Sequence, residues 1–250
     1  MLTLRSDDPL ATALTVAIHK GDLASLRRLL AERPGLASAR IGEAGKSRTP
    51  LHVATDWPGH FPNGAATVLA LLEAGADPNA RCEGTWHTET PLHWVASSDD
   101  VEAFDVLVEH GADIEATGGS IGGGTPLDNA VGYGQWSVAR RLVERGARVK
   151  LWHAAALGLL SRVEECFSGD RRPSPEEINE AFYQACHGGE RATAEYLLDR
   201  GADVNWIPKW SKGRTPLDVA RVHDRAISRR PSAENLVEWL LSRGAKSGLG

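Results

Sequence analysis

The sequence predicts an all-α solenoid of about seven helix-turn-helix units, and three observations carry that prediction. A four-residue signal, Thr-Pro-Leu-His or Thr-Pro-Leu-Asp, stands at Thr49–His52, Thr90–His93, Thr125–Asp128 and Thr215–Asp218. A second signal, Gly-Ala-Asp or a close relative, follows near the end of most units, at Gly75, Gly111, Gly146, Gly201 and Gly244. The two return together at a period of roughly 33 residues, the length of one supersecondary unit that buries its apolar face only by stacking on neighbours.

Placing the first position of each unit on the Thr of the signal gives starts at Thr12, Thr49, Thr90, Thr125, Val149, Glu180 and Thr215. Residues 1–250 then form a single domain whose terminal units act as caps. Each unit opens with a short helix. Thr serves as its N-cap, and Pro takes the first helical position, where a missing N–H costs nothing. The sixth position is small in every unit (Ala17, Ala54, Val95, Ala130, Ala154, Ala185, Ala220), so paired helices can approach closely. The second helix ends on an apolar pair: Leu29-Leu30, Leu71-Leu72, Leu107-Val108, Leu142-Val143, Cys166-Phe167, Leu197-Leu198 and Leu240-Leu241. A glycine then closes it in the left-handed C-cap conformation.

These residues and spacings resemble the ankyrin repeat, from Leu10 to about Lys246. The resemblance implies an ankyrin-repeat solenoid with an L-shaped helix pair and a short β-hairpin finger per unit. It also implies a concave groove, lined by fingers and first helices, that holds another protein. The same resemblance makes His52 and His93 structural hydrogen-bonders between neighbouring turns rather than chemical groups.

The chain departs from the pattern in four places. Units 5 and 6 open with Val149-Lys150-Leu151-Trp152 and Glu180-Ala181-Phe182-Tyr183 in place of the signal. The step from Thr125 to Val149 is short and leaves no room for a finger. Unit 2 carries extra residues from Trp57 to Gly64, and unit 7 carries more from His223 to Pro231. A missing finger and enlarged loops interrupt the wall of a groove and favour a local pocket.

Composition narrows the function. Hydrophobic residues make up 42% and charged residues 24%, as in folded soluble proteins. A net charge of −5 excludes a general nucleic-acid binder, which needs a basic footprint. Cys82, Cys166 and Cys186 have no metal-ligand spacing and suit a reducing compartment. No secretory leader and no membrane-spanning run are expected, which places the protein in the cytoplasm without membrane contact. Lysine supplies six of the 28 basic residues, a bias expected of a GC-rich bacterial genome.

Eight tryptophans are the main compositional oddity. Trp94, Trp136 and Trp152 fall at positions expected in the core. Trp57, Trp86, Trp206 and Trp210 fall in a loop and two fingers, where exposed Trp suits a binding hot spot, or packs on a neighbouring finger. His60 and His87 have no packing duty in the family pattern. With Asp56, Glu89 and Asp128 they could form an acid–base set, so Asp56, His87, Glu89 and Asp128 are the catalytic candidates if the protein is an enzyme. Asp56, Trp57, His60, Trp86, His87, Trp206 and Trp210 are the candidate partner- or ligand-binding residues.

Three further constellations take bland readings. A zinc site from His52, His87 and Asp56 lacks any paired spacing, so no metal and no cofactor are expected. Gly118–Gly124 precedes a helix but lacks the P-loop lysine and a βαβ strand, so it reads as a flexible finger tip. Arg27-Arg28 and Arg140-Arg141 read as solvated charges near helix C-termini. The sequence thus favours a scaffold that holds a partner protein. The alternative is a small-molecule binder or enzyme with a Trp/His/Asp pocket. Convergence of Asp56, Trp57, Trp86, His87 and Trp206 on one cavity would favour that alternative.

Overall fold

The structure is a computed structural model that describes residues 2–43, 45–84, 87–169, 171–225 and 231–249, without side chains at 223–225 and 231–235. It divides into two compact units, Met1–Ala147 and Arg148–Gly250, each with its own core. The division falls in the short step before unit 5.

In the first unit, helices come in pairs: α1 (Pro9–Lys20) with α2 (Leu23–Glu32), and α3 (Pro50–Ala54) with α4 (Gly64–Glu73). They are followed by α5 (Pro91–Ser98) with α6 (Val101–Glu109), and α7 (Pro126–Tyr133) with α8 (Trp136–Glu144). First helices pack on first helices and second on second. Leu51, Leu92 and Leu127 of the signal are fully buried between them, as are Leu71, Leu107 and Leu142 from the apolar pairs. The Gly-Ala-Asp glycines close the second helices as expected. Gly75, Gly111 and Gly146 have φ between +88° and +93°. Each following Ala N–H reaches back to the buried leucine carbonyl: Ala76 to Leu71, Ala112 to Leu107 and Ala147 to Leu142, at 2.9–3.0 Å. This is the six-to-one bond of a Schellman cap.

Of the expected hairpin fingers, only the first is built from paired strands among the described residues. Strands β2 (Arg40–Glu43) and β3 (Lys46–Arg48) pair antiparallel, and β1 (Thr3–Leu4) joins β2 in parallel. The next finger docks on it through reciprocal backbone bonds between Ser47 and Glu83. It closes by Cys82 N–H to Glu89 C=O at 2.9 Å. The third is the glycine-rich loop, tied to the second by Thr88 N–H to Gly118 C=O.

Helix α1 starts a turn earlier than expected. Asp8 caps it at the Leu10 N–H (2.7 Å), so Thr12 lies inside it.

The second unit comprises α9 (Leu151–Ala156), α10 (Leu160–Ser168), α11 (Pro175–Gly188), α12 (Arg191–Leu198), α13 (Pro216–Arg225) and α14 (Pro231–Ser242). Its core joins Val163, Phe182, Ala185, Leu197, Leu217, Leu240 and their neighbours. Two expectations for it need correction. The N-cap of α9 is Lys150, not Val149, because the Lys150 N–H bonds to His153 Nδ1 at 3.2 Å as Thr does to His in the signal. Trp152 therefore stands at the leucine position and His153 at the histidine position. Helix α11 is capped by Ser174, whose side chain and Glu177 form a reciprocal capping box, so Glu180 lies inside it. The Cys166-Phe167 pair stays half-buried, and Gly169 after it is extended (φ −78°), not left-handed.

Trp94, Trp136 and Trp152 are only partly buried, and Trp152 packs against the core of the second unit from its edge. The unit 7 insertion falls mostly outside the described residues. Among the described residues no helix is long and apolar enough to cross a membrane.

Candidate functional site

The T-P-L-H cap is the frame on which the site is built. His52 Nδ1 accepts the Thr49 N–H (3.2 Å) and sits 2.8 Å from its hydroxyl. That bond assigns the proton to Nε2, which donates to the Glu89 carbonyl at 3.0 Å. His93 repeats the arrangement with Thr90 and reaches the Gly124 carbonyl at 3.2 Å. Each ring ties its own cap to the chain entering the next repeat. Burial keeps both rings neutral: it pushes the His52 pKa down to about 4 and lowers that of His93. These two are structural, as the resemblance implied.

Asp128 takes the histidine place in the next repeat. Its Oδ2 accepts the Thr125 N–H (2.7 Å) and hydroxyl (2.8 Å), and the residue is 3% exposed. Asp128 is a helix cap, which removes it from the acid–base set.

The glycine-rich loop consumes its own amides. Gly118 and Gly119 donate to the Gly123 and Gly124 carbonyls at 2.9 Å. The Ser120 N–H donates to Glu89 Oε1 (2.9 Å), and the Ile121 N–H to Asn129 Oδ1 (3.2 Å). Asn129 completes the ring by donating to Glu89 Oε1 at 2.8 Å. Gly119 is required here, because a Cβ would lie 2.6 Å from Asn129 Oδ1 and 2.8 Å from the His93 ring. A carboxylate of the protein thus takes the place an external anion would need, and the loop is hydrogen-bonded rather than a loose tip.

Against this frame lies a cleft of about 420 Å³, built within the first unit from three successive repeats. Asp56 and Trp57 supply one side. Arg48 of β3 holds Asp56 by a 2.6 Å ion pair, and the other Asp56 oxygen accepts the Trp57 N–H. Trp57 itself is 78% exposed. Trp94 of α5 stands edge-on to the His52 ring, with centroids 5.0 Å apart, and its indole N–H is buried without an acceptor among the described residues. Glu89, Ser97 and Ser120 line the middle. Tyr133, at the end of α7, donates to Ser120 Oγ at 3.1 Å, and Gln135 donates to the Ser97 carbonyl at 3.0 Å.

The structure brings Asp56, Trp57 and Glu89 together and leaves the other sequence candidates elsewhere. His87 is half-buried in the second finger, outside the cleft lining, and Trp86 lies outside the described residues. Trp206 and Trp210 belong to the second unit, where both pack edge-on to Tyr183 at 6.4 and 5.3 Å. His60 faces away into the unit 2 loop. Its ligand-type atoms lie within 4.8 Å of those of Asp100 and Glu102, a spacing a metal could use. However, Asp100 Oδ1 already caps α6 at the Ala103 N–H and Oδ2 accepts the His60 N–H, while His60 Nε2 meets the Ser98 carbonyl. Those bonds make His60 and Asp100 a lock on the inserted loop.

Sequence reasoning missed Trp94, Ser97, Ser120, Tyr133 and Gln135. A positional signal was available for two of them. Counted from the Thr of the signal, Asp56 and Ser97 are both eighth, and Trp57 and Tyr133 both ninth. Arg141 also departs from its reading as a solvated charge. It grips Asp105 of α6 with two 2.8 Å bonds, and Arg145 adds a third. Charge is unevenly shared: residues 1–147 carry 12 Lys and Arg against 19 Asp and Glu, and residues 148–250 carry 16 against 14.

The family model for ankyrin repeats, in three copies, matches residues 63–151. Residues 63–151 thus contain ankyrin repeats. Its fold is similar to the crystal structure of the human ASB11 ankyrin repeat domain, with a TM-score of 0.52 at 20% identity over 92% of this chain and 96% of that one. By sequence it is similar to a Caenorhabditis elegans homolog of transient receptor potential cation channel subfamily A member 1, 33% identical over 52% of this chain and 9% of the channel. It is also similar to the Arabidopsis thaliana serine/threonine-protein kinase VIK, 37% identical over 37% of this chain and 19% of the kinase. Rat protein fem-1 homolog A is 37% identical over 28% of this chain and 11% of its own length. The chain therefore spans less than a fifth of the length of these three sequence relatives. They are animal and plant proteins and lend no support to a bacterial source.

Proposed function

We propose that this ankyrin chain is a protein-binding scaffold, with its main contact surface at the cleft of the first unit. The observation that carries the reading is Trp57: an indole left 78% exposed at the lip of a cleft in which Asp56, Glu89 and Tyr133 are held by hydrogen bonds. Large, rigid, exposed aromatic side chains in such clefts dominate interface energies. Asp56, Trp94 and Tyr133 complete the surface, and Trp210, 57% exposed, offers a second contact in the second unit. Three free thiols fit the cytoplasmic setting that goes with this reading.

The bonding of the carboxylates favours binding over acid–base catalysis. Asp56 is paired with Arg48, Asp128 caps a helix, and the Glu89 Oε1 is held by two donors.

The test is a selection of binders from a displayed peptide library on the full chain, followed by affinity measurement on variants. Trp57→Ala should weaken the selected binders about tenfold or more. Its melting midpoint should barely move, because an exposed side chain contributes within about 0.5 kcal/mol. Binders indifferent to both Trp57→Ala and Tyr133→Ala would overturn the reading.

A further inference from the structure

The occupant of the cleft can be specified further, on the reading just given that the cleft binds protein. We propose that the cleft receives a cationic side chain, lysine or arginine, of the partner polypeptide.

The first support is the unequal use of the Glu89 carboxylate. Its Oε1 accepts both the Ser120 N–H and the Asn129 amide, which fix the group in place. Its Oε2 has no hydrogen bond, and Glu89 has no ion pair, among the described residues. The neighbouring Asp56 differs, since Arg48 matches its charge at 2.6 Å. The lining of the cleft therefore carries one positioned negative charge without a counter-charge. Amide hydrogen bonds orient a carboxylate but leave its charge, and a half-buried charge attracts a cation more strongly than a solvated one.

The second support is the state of the aromatic rings. Trp57, Trp94 and Tyr133 line the same cleft. Elsewhere in the chain, aromatic rings are covered by the protein's own cations: Lys150 lies over Trp152, Arg200 over Tyr196 and Phe167, and Arg191 and Arg243 over Trp239. No such cation lies over Trp57, Trp94 or Tyr133 among the described residues. Ring faces beside an unmatched carboxylate attract an ammonium or guanidinium and reject an anion. The amides that might have held an anion are already spent within the glycine-rich loop.

The third support is the charge of the unit that holds the cleft. With 19 acidic against 12 basic residues, Met1–Ala147 steers a basic segment toward itself. The volume of about 420 Å³ accommodates a long side chain with a short stretch of its backbone. The Gln135 amide oxygen, without a hydrogen bond among the described residues, adds an uncharged acceptor.

The experiment selects twelve-residue peptides from a random phage-displayed library on the full chain. Fluorescence polarisation then compares wild type, Trp57→Ala and Glu89→Gln, with melting curves confirming that both variants fold. Glu89→Gln retains an oxygen acceptor for Ser120 and Asn129 while removing the charge. The expected result is peptides with a Lys or Arg whose replacement by norleucine or citrulline lowers affinity about tenfold. That replacement and Glu89→Gln should give non-additive losses, and the loss should shrink at high salt. Peptides that depend on Trp57 but tolerate both the norleucine exchange and Glu89→Gln would overturn the cationic occupant and leave the protein-binding reading standing. Peptides indifferent to Trp57→Ala and Glu89→Gln alike would overturn both. Choline or Nα-acetyl-lysine methylamide binding as tightly as any selected peptide, with the same Glu89 dependence, would overturn the polypeptide source in favour of a small amine.

Discussion

Replacing His52 by Asp is the sharpest test of the frame beneath the cleft. His52 is fully buried, and burial holds its folded pKa at about 4 against 6.5 for the free side chain. The unfolded chain therefore binds the proton more tightly, and acidification favours unfolding. Stability is complete above about pH 6.5 and falls as pH drops toward 4. At pH 5 the linkage from this one ring amounts to about 2 kcal/mol, at 1.36 kcal/mol per pKa unit. His93 acts in the same direction. Asp is the natural exchange because Asp128 and Asp218 already cap their Thr residues in this way. An Asp at this position keeps the Thr49 cap but is too short to reach the Glu89 carbonyl, so the variant should lose about 1 kcal/mol at pH 7. More tellingly, urea denaturation at pH 7, 6 and 5, followed by far-UV circular dichroism, should show a shallower loss of stability in His52→Asp than in wild type. The same slope in both proteins would refute the assignment of His52 as a buried neutral link.

Two other perturbations follow from the packing. Leu197, fully buried in the core of the second unit, should cost about 2–5 kcal/mol when changed to Ala, measured by thermal unfolding; a loss well below that range would mean the interface is loosely packed. Asp105→Asn removes the charge that Arg141 and Arg145 grip. Because these groups are partly solvated, the loss should be about 0.5–1 kcal/mol and should fade in 1 M salt, which a denaturation series at two ionic strengths checks.

What could be read from the sequence was what repetition enforces. The Thr, Pro and Leu of the signal recur because each unit needs the same cap and the same buried contact, and the Gly of Gly-Ala-Asp recurs because only it takes a φ near +90° cheaply. Those positions are legible in the sequence. The registers of units 5 and 6 were not, since Lys150 caps α9 through its backbone amide and α11 gains a turn and more from Ser174-Pro175. Both events leave the apolar spacing intact and shift only the start. The cleft was half legible. Asp56, Trp57 and Glu89 stood out by composition or by the inserted loop, whereas Tyr133 and Ser97 look unremarkable until their repeat positions are superposed. Trp94 was misjudged because a fifth-position residue normally packs between units, and here α5 leaves one edge of the ring in the cleft.

The same superposition explains why the cleft lies in the first unit and at these repeats. A groove position is functional when its side chain is free to vary while its backbone is not. The histidine links hold the backbone around the cleft: His52 fixes the Glu89 carbonyl, and His93 fixes the Gly124 carbonyl at the base of the glycine-rich loop. That loop in turn fixes the Glu89 carboxylate through Ser120, and Asn129 secures it from α7. One residue, Glu89, is thus anchored by its main chain to one repeat and by its side chain to another, with an oxygen left over. Ordering such a group before the partner arrives lowers the entropy lost on binding. The eighth and ninth positions then supply variable walls, Asp56 and Trp57 from one repeat and Ser97 and Tyr133 from the next two. The repeat thereby separates rigidity from specificity: caps and links make a stiff floor, and the side chains at the eighth and ninth positions decide what rests on it.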